Sequence, residues 1–154
     1  MGWQGTLKGS NRTESTLSPS PKPNWVKTSE KGQKMKQEAN LQAACVRWFR
    51  YQFPTLSKVL IHVPNGGSRN AREALNLKIQ GVMPGCADLL LLAPRNGFGC
   101  LAIEIKAGKN GQSELQKDWQ KCFEKMGNKY VLCRNIDDFM EETTAYLHSN
   151  QQHV

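Results

Sequence analysis

Long hydrophobic runs are missing from this sequence of 154 residues. A helix that crosses a bilayer needs roughly 18 or more consecutive apolar residues, and no segment approaches that length. The first residues also lack the apolar stretch that is typical of a secretory signal. We therefore expect a soluble protein that works inside the cell and has no membrane partner.

Paired cysteines are missing as well. The five cysteines are odd in number and scattered along the chain, and none belongs to a C-x-x-C pair. This distribution argues against a disulfide framework and against a zinc site built from cysteine pairs. We expect the cysteines to be buried free thiols, because unpaired cysteine behaves as a small apolar residue.

Acidic residues are in the minority, with 13 Asp and Glu against 21 Lys and Arg, which gives a formal charge of +8. The first 36 residues hold seven of the basic residues and two of the acidic ones. A basic surplus suits a polyanionic partner, but it is also common in proteins that bind nothing acidic. Charge alone does not decide the function.

Apolar residues are scarce up to residue 31, where Ser, Pro, Lys, Thr and Gly dominate, as in "TLSPSPKPNW". A segment of this composition buries too little surface to offset the entropy lost on ordering. We predict a disordered basic tail over residues 1–31. The remaining residues, 32–154, are enough for one domain with its own core.

Hydrophobic periodicity and turn signals predict the elements of this domain. Its predicted order is α β α β β α β α, which describes an α/β fold with a mixed sheet flanked by helices. The segments are a helix at 33–52, a strand "KVLIHV", a helix "NAREALNLKIQG", apolar runs at 87–93 and 100–106, a helix between Ser113 and Gly127, a strand "KYVLCR" and a helix "IDDFMEETTAYLH".

Three charged residues lie in or beside the two central apolar runs. Asp88 opens the run "DLLLL", and Glu104 and Lys106 lie in "CLAIEIK". The Asn-Gly pair between the runs is a strong hairpin signal. A hairpin centred near Asn96 places Asp88 opposite Glu104, with their Cβ atoms about 5 Å apart.

Two carboxylates that face each other repel, unless a divalent cation lies between them and accepts their oxygens as ligands. Lys106 shares the strand face of Glu104, because side chains alternate along a strand. Ala102 and Cys100 share that face too, and their small size is expected to leave room for a substrate. Such a set suits metal-assisted hydrolysis of a phosphodiester.

A simpler interpretation is that Asp88 only begins a strand, while Glu104 and Lys106 form an exposed ion pair at a sheet edge. Short motifs of the form E-x-K are common by chance, and the motif alone favours this interpretation. The apolar context of the strand and the acidic residue in its hairpin partner favour the metal site. From the residues alone, both interpretations stay open.

The order and content of several blocks resemble a known family. A helix with a glutamate, then D…E-x-K on a hairpin, then another helix resembles the PD-(D/E)XK nuclease superfamily. More narrowly, "HVPNGGSRN … IQGVMPGCADLLLL … LAIEIKAGKNGQSELQKDWQ" is similar to a compact, stand-alone VRR-NUC domain of the phage and bacterial type, with the resemblance running from about Gln33 to Tyr146. This implies a restriction-endonuclease-like fold. The family commonly has Pro where Ala87 stands here, a position that takes no part in the chemistry.

The resemblance also implies roles for individual residues. Asp88 and Glu104 match the acids that bind Mg²⁺ or Mn²⁺, with the backbone carbonyl of Ile105 completing the metal site. Lys106 matches the catalytic lysine. Glu38 in the first helix matches a glutamate that reaches the metal, usually through water.

Five further polar residues are considered for the same site. Gln116 matches the glutamine that follows the catalytic strand in the family and is expected near the scissile phosphate or the lysine, although its position also suits a helix cap. Asn65 and Arg69, in a Gly-rich loop, and Lys109, after the catalytic strand, are expected to contact DNA phosphates. Solvated polar side chains of a loop are an equally good explanation for these three residues. His62 is interpreted as a hydrogen-bonded structural residue rather than a general base.

The expected function is that of a Mg²⁺-dependent DNA endonuclease in the cytoplasm of a bacterial or phage-infected cell. A structure-specific activity on branched DNA, similar to a Holliday-junction resolvase, requires two active sites and therefore a homodimer. A nicking, flap or restriction-like nuclease with the same site is the alternative. A non-catalytic nucleic-acid-binding module is a further possibility, but it has no use for paired acids.

Overall fold

The computed structural model describes residues 24–64 and 71–148 of the chain. These residues form four helices, four strands and one short 3₁₀ helix in the predicted order. They are α1 (Asn24–Gln52), the 3₁₀ helix (Pro54–Leu56), β1 (Leu60–His62), α2 (Ala71–Ile79), β2 (Leu89–Leu91), β3 (Leu101–Ile105), α3 (Glu114–Lys125), β4 (Lys129–Cys133) and α4 (Ile136–His148).

The strands form one mixed sheet in the order β1-β2-β3-β4. The pairs β1–β2 and β2–β3 are antiparallel, whereas β3 and β4 are parallel. A parallel pair needs a long crossover connection, and helix α3 provides it. The predicted α/β class, with a mixed sheet flanked by helices, is therefore confirmed.

The sheet separates two apolar layers. On one face, Leu101, Ile103 and Ile105 of β3 join a core with Phe49 of α1 and Phe139 of α4. On the other face, Ala87, Ala102 and Tyr130 form a smaller cluster beneath Trp119 and Phe123 of α3. The alternation of β3 side chains therefore sends its isoleucines toward α1 and α4, and Ala102 and Glu104 toward the side of α3.

The turn between β2 and β3 has the predicted chemistry. Asn96 and Gly97 both have positive φ angles, 54° and 78°, which a tight hairpin of this kind requires. The strands pair Leu89 with Ile103 and Leu91 with Leu101. Extended by one residue, this register places Asp88 opposite Glu104, so the predicted register is confirmed.

Helix α1 begins at Asn24, nine residues before its predicted start. Residues 24–31 were assigned to the disordered tail and are helical instead, and the rest of that predicted tail, 1–23, lies outside the described residues. The composition of residues 24–31 shows that they cannot build a core of their own. A helix can still form there, because it needs only backbone hydrogen bonds and side chains that are compatible with a helix. The Lys and Glu residues of this segment suit a helix, and Pro23 precedes it in the sequence.

The described cysteines form no disulfides, as predicted, but not all of them are buried. Cys45, Cys86 and Cys133 are buried, Cys100 is half-buried, and Cys122 is exposed on α3. The last of these corrects the expectation of buried thiols, because α3 presents only part of its surface to the sheet. None of the helices in the described ranges combines the length and the apolar character needed to cross a membrane.

Gly85 allows the loop before Asp88 to approach the first turn of α3. Its φ angle is +84°, and a Cβ at this position would overlap the backbone carbonyl of Leu115. We predict that Gly85→Ala lowers the free energy of unfolding by about 2 kcal/mol or more, through left-handed strain and overlap with a backbone that cannot move aside cheaply. Gly111→Ala is the matched control, because no atom lies within 4 Å of its Cβ position. Equal stability of the two variants in urea unfolding would contradict this packing.

Candidate active site

Asp88, Glu104 and Lys106 come together where the β2–β3 hairpin meets helix α3. Asp88 immediately precedes β2, and Oδ2 of its carboxylate accepts a hydrogen bond of 2.8 Å from the backbone N–H of Ile105. Nζ of Lys106 lies 2.8 Å from Oε1 of Glu104. The three residues that the sequence groups into one site are therefore neighbours.

Glu104 is a fully buried acid, with 0% of its surface exposed. Besides Lys106, its carboxylate accepts hydrogen bonds from Nε2 of Gln116 on Oε1 and from the hydroxyl of Tyr130, 3.3 Å away, on Oε2. Burial of an acid is unfavourable unless partners compensate for the lost water. The simpler interpretation, in which Glu104 and Lys106 are an exposed pair at a sheet edge, is therefore wrong: β3 lies between β2 and β4, and Glu104 has no contact with solvent.

Gln116 both caps helix α3 and contacts the candidate site. Its Oε1 accepts from the N–H of Ser113 and its own N–H donates to Oγ of Ser113, which completes the predicted capping box of α3. Its Nε2 donates to Glu104 at the same time. The cap thus fixes the side chain that holds the buried carboxylate, and the contact is with Glu104 rather than with Lys106.

Glu38 reaches the site from helix α1. Its Oε1 accepts a hydrogen bond of 3.1 Å from the N–H of Ala107, the residue after Lys106. Glu38 and Asp88 both line an open cavity of about 590 Å³, which also contacts Gln42 and His62. The predicted helix glutamate therefore lies at the mouth of the site.

His62 lies beside the backbone of Asp88, where its Nδ1 either donates a hydrogen bond to the Asp88 carbonyl or accepts one from Gln42, according to its tautomer. Its Nδ1 lies 2.9 Å from the carbonyl oxygen of Asp88 and 2.8 Å from Nε2 of Gln42. The carbonyl of Asp88 also accepts a hydrogen bond of 2.9 Å from the N–H of Val63. These contacts fix the start of β2 against the end of β1, which agrees with the structural interpretation of His62.

Comparison with known proteins finds a similarity to a solved structure. No family model matches the sequence, and no curated protein is significantly similar to it. A solved structure described as a "VRR_NUC domain protein" superposes with a TM-score of 0.60 and 25% sequence identity, over 71% of this chain and 87% of that one. This similarity supports a VRR-NUC domain in this chain. The resemblance seen in the sequence motifs is thereby confirmed.

In this VRR-NUC domain the buried acids have unusual proton affinities. Burial, and then the neighbouring charge of Asp88, raise the pKa of Glu104 to about 7, although Lys106 and Tyr130 oppose the rise. Burial also raises the pKa of Asp88, despite the Ile105 N–H and the Lys106 charge, and Glu38 adds to the rise. The site therefore holds more negative charge than its own partners stabilise.

The raised pKa of Glu104 predicts how stability depends on pH when no metal is present. The folded state holds this proton more tightly than the unfolded state, whose pKa is near 4.5. The stability that Glu104 contributes in this way is fully present below pH 4.5 and is lost as the pH rises through about 7, by on the order of 3 kcal/mol. In Glu104→Gln this part of the fall is expected to be absent, and only the part due to the raised pKa of Asp88 remains, as urea unfolding in EDTA between pH 4 and 8 can show. A constant stability difference between the two proteins over that range would contradict the assignment.

The donor set of the VRR-NUC site fits a hard divalent cation. Asp88 and Glu104 supply carboxylate oxygens, the ligands that Mg²⁺ and Mn²⁺ prefer. A bound cation would also compensate for the carboxylate charges whose burial raises both pKa values. Within residues 24–64 and 71–148, no three His, Cys, Asp or Glu side chains form a metal site by themselves. The family resemblance implies that the carbonyl of Ile105 and waters would complete the coordination by these two acids, with Glu38 outside them.

Helix α3 occupies the space that was expected to receive the substrate. Ala102 is fully buried and packs beneath Trp119 and Phe123, whose rings stack with centroids 4.5 Å apart. Sγ of Cys100 donates to Oδ1 of Asn128. The small residues on this strand face therefore make room for a helix. The open approach to Asp88 is from α1 instead.

Of the three residues that are expected to contact DNA, only Lys109 lies within the described residues. Lys109 is exposed in the loop after β3. Nη1 of Arg134 donates to the carbonyls of Gly108 and Asn110 on either side of it, at 2.6 and 2.9 Å. Arg134 thus holds the loop that carries Lys109. Asn65 and Arg69 lie outside the described residues.

Tyr130 belongs to the site but is not predicted from the sequence. It is buried in β4, directly beside Ala102 in the parallel pair, and its hydroxyl donates to Glu104. Burial and the Glu104 charge raise its pKa, so the hydroxyl keeps its proton and remains a donor. The tyrosine in "KYVLCR" can be read from the sequence, but the residue beside it depends on the register of β4 against β3. The crossover through α3 sets this register, and no local sequence pattern predicts it.

Proposed function

We propose that this VRR-NUC domain is a Mg²⁺- or Mn²⁺-dependent DNA endonuclease that cuts branched DNA as a homodimer. The observation that carries the proposal is the fully buried Glu104, paired with Lys106 and set opposite Asp88. A purely structural strand would place an apolar residue at this position. The similarity to a VRR_NUC domain protein supports nuclease activity in general.

The proposed chemistry assigns a task to each side chain. Asp88 and Glu104 hold the cation, which when bound supplies a water of lowered pKa and draws charge from the phosphoryl oxygen. Gln116 and Tyr130 fix the orientation of the Glu104 carboxylate, so that no reorganisation is needed during the reaction. The ammonium of Lys106 stabilises the charge that develops on the phosphoryl oxygens, or orients the attacking water.

An exposed apolar row on α2 and the loop after it supports the proposed homodimer. Leu75, Ile79 and Met83 are spaced four residues apart and have 59%, 76% and 59% of their surfaces exposed. Exposed rows of this kind often mark protein interfaces. Helix α4, by contrast, buries Phe139 and Tyr146 within its own domain. We therefore assign the dimer contact to α2.

The test compares substrates under identical conditions. Labelled four-way junction, flap, nicked duplex and linear duplex of the same sequence are incubated with the protein in Mg²⁺ and in EDTA. We expect paired incisions in the junction, slower cutting of the linear duplex, and no cutting in EDTA. Analytical ultracentrifugation measures the mass in parallel.

Each alternative gives a different result. A preference for flaps or nicks keeps the same active site and replaces the resolvase assignment. A monomer without preference for branched DNA leaves a general nuclease. DNA binding without cleavage in either Mg²⁺ or Mn²⁺ would instead favour a non-catalytic binding module and overturn the proposal.

A further inference from the structure

A basic groove leads away from the candidate active site along helix α1. The cavity at Asp88 is joined to a second cavity of about 630 Å³, since Arg50 and His62 line both. Arg47 lines the first cavity and Lys58 the second. The basic groove is defined here by Arg47, Arg50, Lys58 and His62.

The cations of this groove have no acidic partners within the described part of the chain. Arg47, Arg50 and Lys58 are exposed, and no salt bridge between described residues includes them. Some exposed lysines elsewhere are paired, such as Lys121 with Asp118 at 3.6 Å and Lys117 with Glu114 at 2.7 Å. The positive charge of the groove is therefore available to an anionic ligand.

The wall of the groove has room for an extended chain. Ala39 and Ala43 lie one turn apart on the same face of α1 and line the first cavity with short side chains. From Glu38 to Arg50 the helix rises about 18 Å, which matches roughly five nucleotides of one strand in duplex DNA. The groove thus has the length of a short stretch of sugar-phosphate backbone.

We propose that the basic groove binds the phosphates of the strand to be cut, on one side of the scissile phosphate at Asp88. Arg47, Arg50 and Lys58 contact successive phosphates, while the acids at the end of the groove act on the last. The positive charge of the groove attracts a polyanion, whereas the negative charge of the acids repels it. Together the two charges favour one position of the strand along the groove. This inference rests on the proposed function for its substrate, and it adds the path of the strand and the residues that hold it.

The experiment measures binding separately from cleavage. In a Glu104→Gln background, which removes cleavage, the Kd for duplex and junction DNA is measured across salt concentrations. Arg47→Gln/Arg50→Gln is compared with Lys121→Gln/Lys125→Gln, which removes the same charge from exposed positions on α3. We expect the groove variant to bind about tenfold or more weakly, with a salt slope reduced by about two. The control is expected to change binding less than about twofold.

The outcomes distinguish this inference from the proposed function. Equal weakening by both double variants would show that only net charge matters and would overturn the assigned groove. An unchanged salt slope in a folded groove variant would overturn it as well, even if the wild type cleaves DNA. If the wild type cleaves nothing but the groove variant alone loses binding, the groove stands and the nuclease proposal fails. Circular dichroism spectra of all variants check that they are folded.

Discussion

Glu104→Gln and Asp88→Asn are each expected to reduce DNA cleavage by about a thousandfold or more, while DNA binding stays equal or becomes tighter. Both substitutions remove a carboxylate that holds the proposed cation, and loss of several kcal/mol of charge stabilisation corresponds to that factor. DNA binding is not weakened, because each substitution also removes a negative charge that repels the DNA phosphates. Cleavage rates and Kd values on the same labelled junction measure the two effects.

The matched control is Glu114→Gln on helix α3. Glu114 is exposed and pairs only with Lys117, at 2.7 Å, outside the candidate site. Its loss is expected to leave both cleavage and binding within about twofold, because exposed ion pairs contribute little. Cleavage by Glu104→Gln at the wild-type rate would show that the buried carboxylate is not part of the active site.

Mixed dimers of wild-type and Lys106→Ala protein are expected to nick junctions rather than cut them in pairs. Each active site cuts one strand, and symmetric incision needs two sites related by a two-fold axis. Lys106 is mostly buried against Glu104, so its removal disables one site without disturbing the exposed row on α2. The ratio of nicked to doubly cut product, measured as the share of variant protein increases, reports the effect.

A simple dilution of activity gives a different pattern. If each chain acts as a monomer, nicked product stays proportional to wild-type protein and no excess accumulates. Lys117→Ala, which removes an exposed lysine of α3, serves as the control and is expected to leave paired incision intact. Paired incision that is unaffected by excess Lys106→Ala protein would contradict the proposed dimer.

The local parts of the site could be predicted from the sequence. The Asn96–Gly97 turn dictates the hairpin, and the hairpin dictates that Asp88 faces Glu104. The Ser113–Gln116 capping box fixes the start of α3 in the same way. In each case the residues that interact lie close in sequence, so one short pattern determines the geometry.

The long-range parts could not be predicted in the same way. The contact between Tyr130 and Glu104 depends on the parallel pairing of β3 and β4, which α3 sets by packing rather than by any local motif. The contact of Glu38 with Ala107 depends on where α1 crosses the sheet. Trp119 fills the space over Ala102, and this contact also depends on how α3 packs on the sheet. These are tertiary effects, and only the family resemblance pointed to Glu38.

The central claim is that Asp88 and Glu104 together hold a divalent cation, and calorimetric titration of metal-free protein with Mn²⁺ tests it without DNA. Wild type is expected to bind at pH 8, and Lys106→Ala at least as tightly, since it frees Oε1 of Glu104 from its ion pair. Glu104→Gln is expected to bind at least about a hundredfold more weakly, because a carboxylate ligand is lost. Mn²⁺ binding by Glu104→Gln that equals that of wild type, or no binding by wild type, would contradict the account.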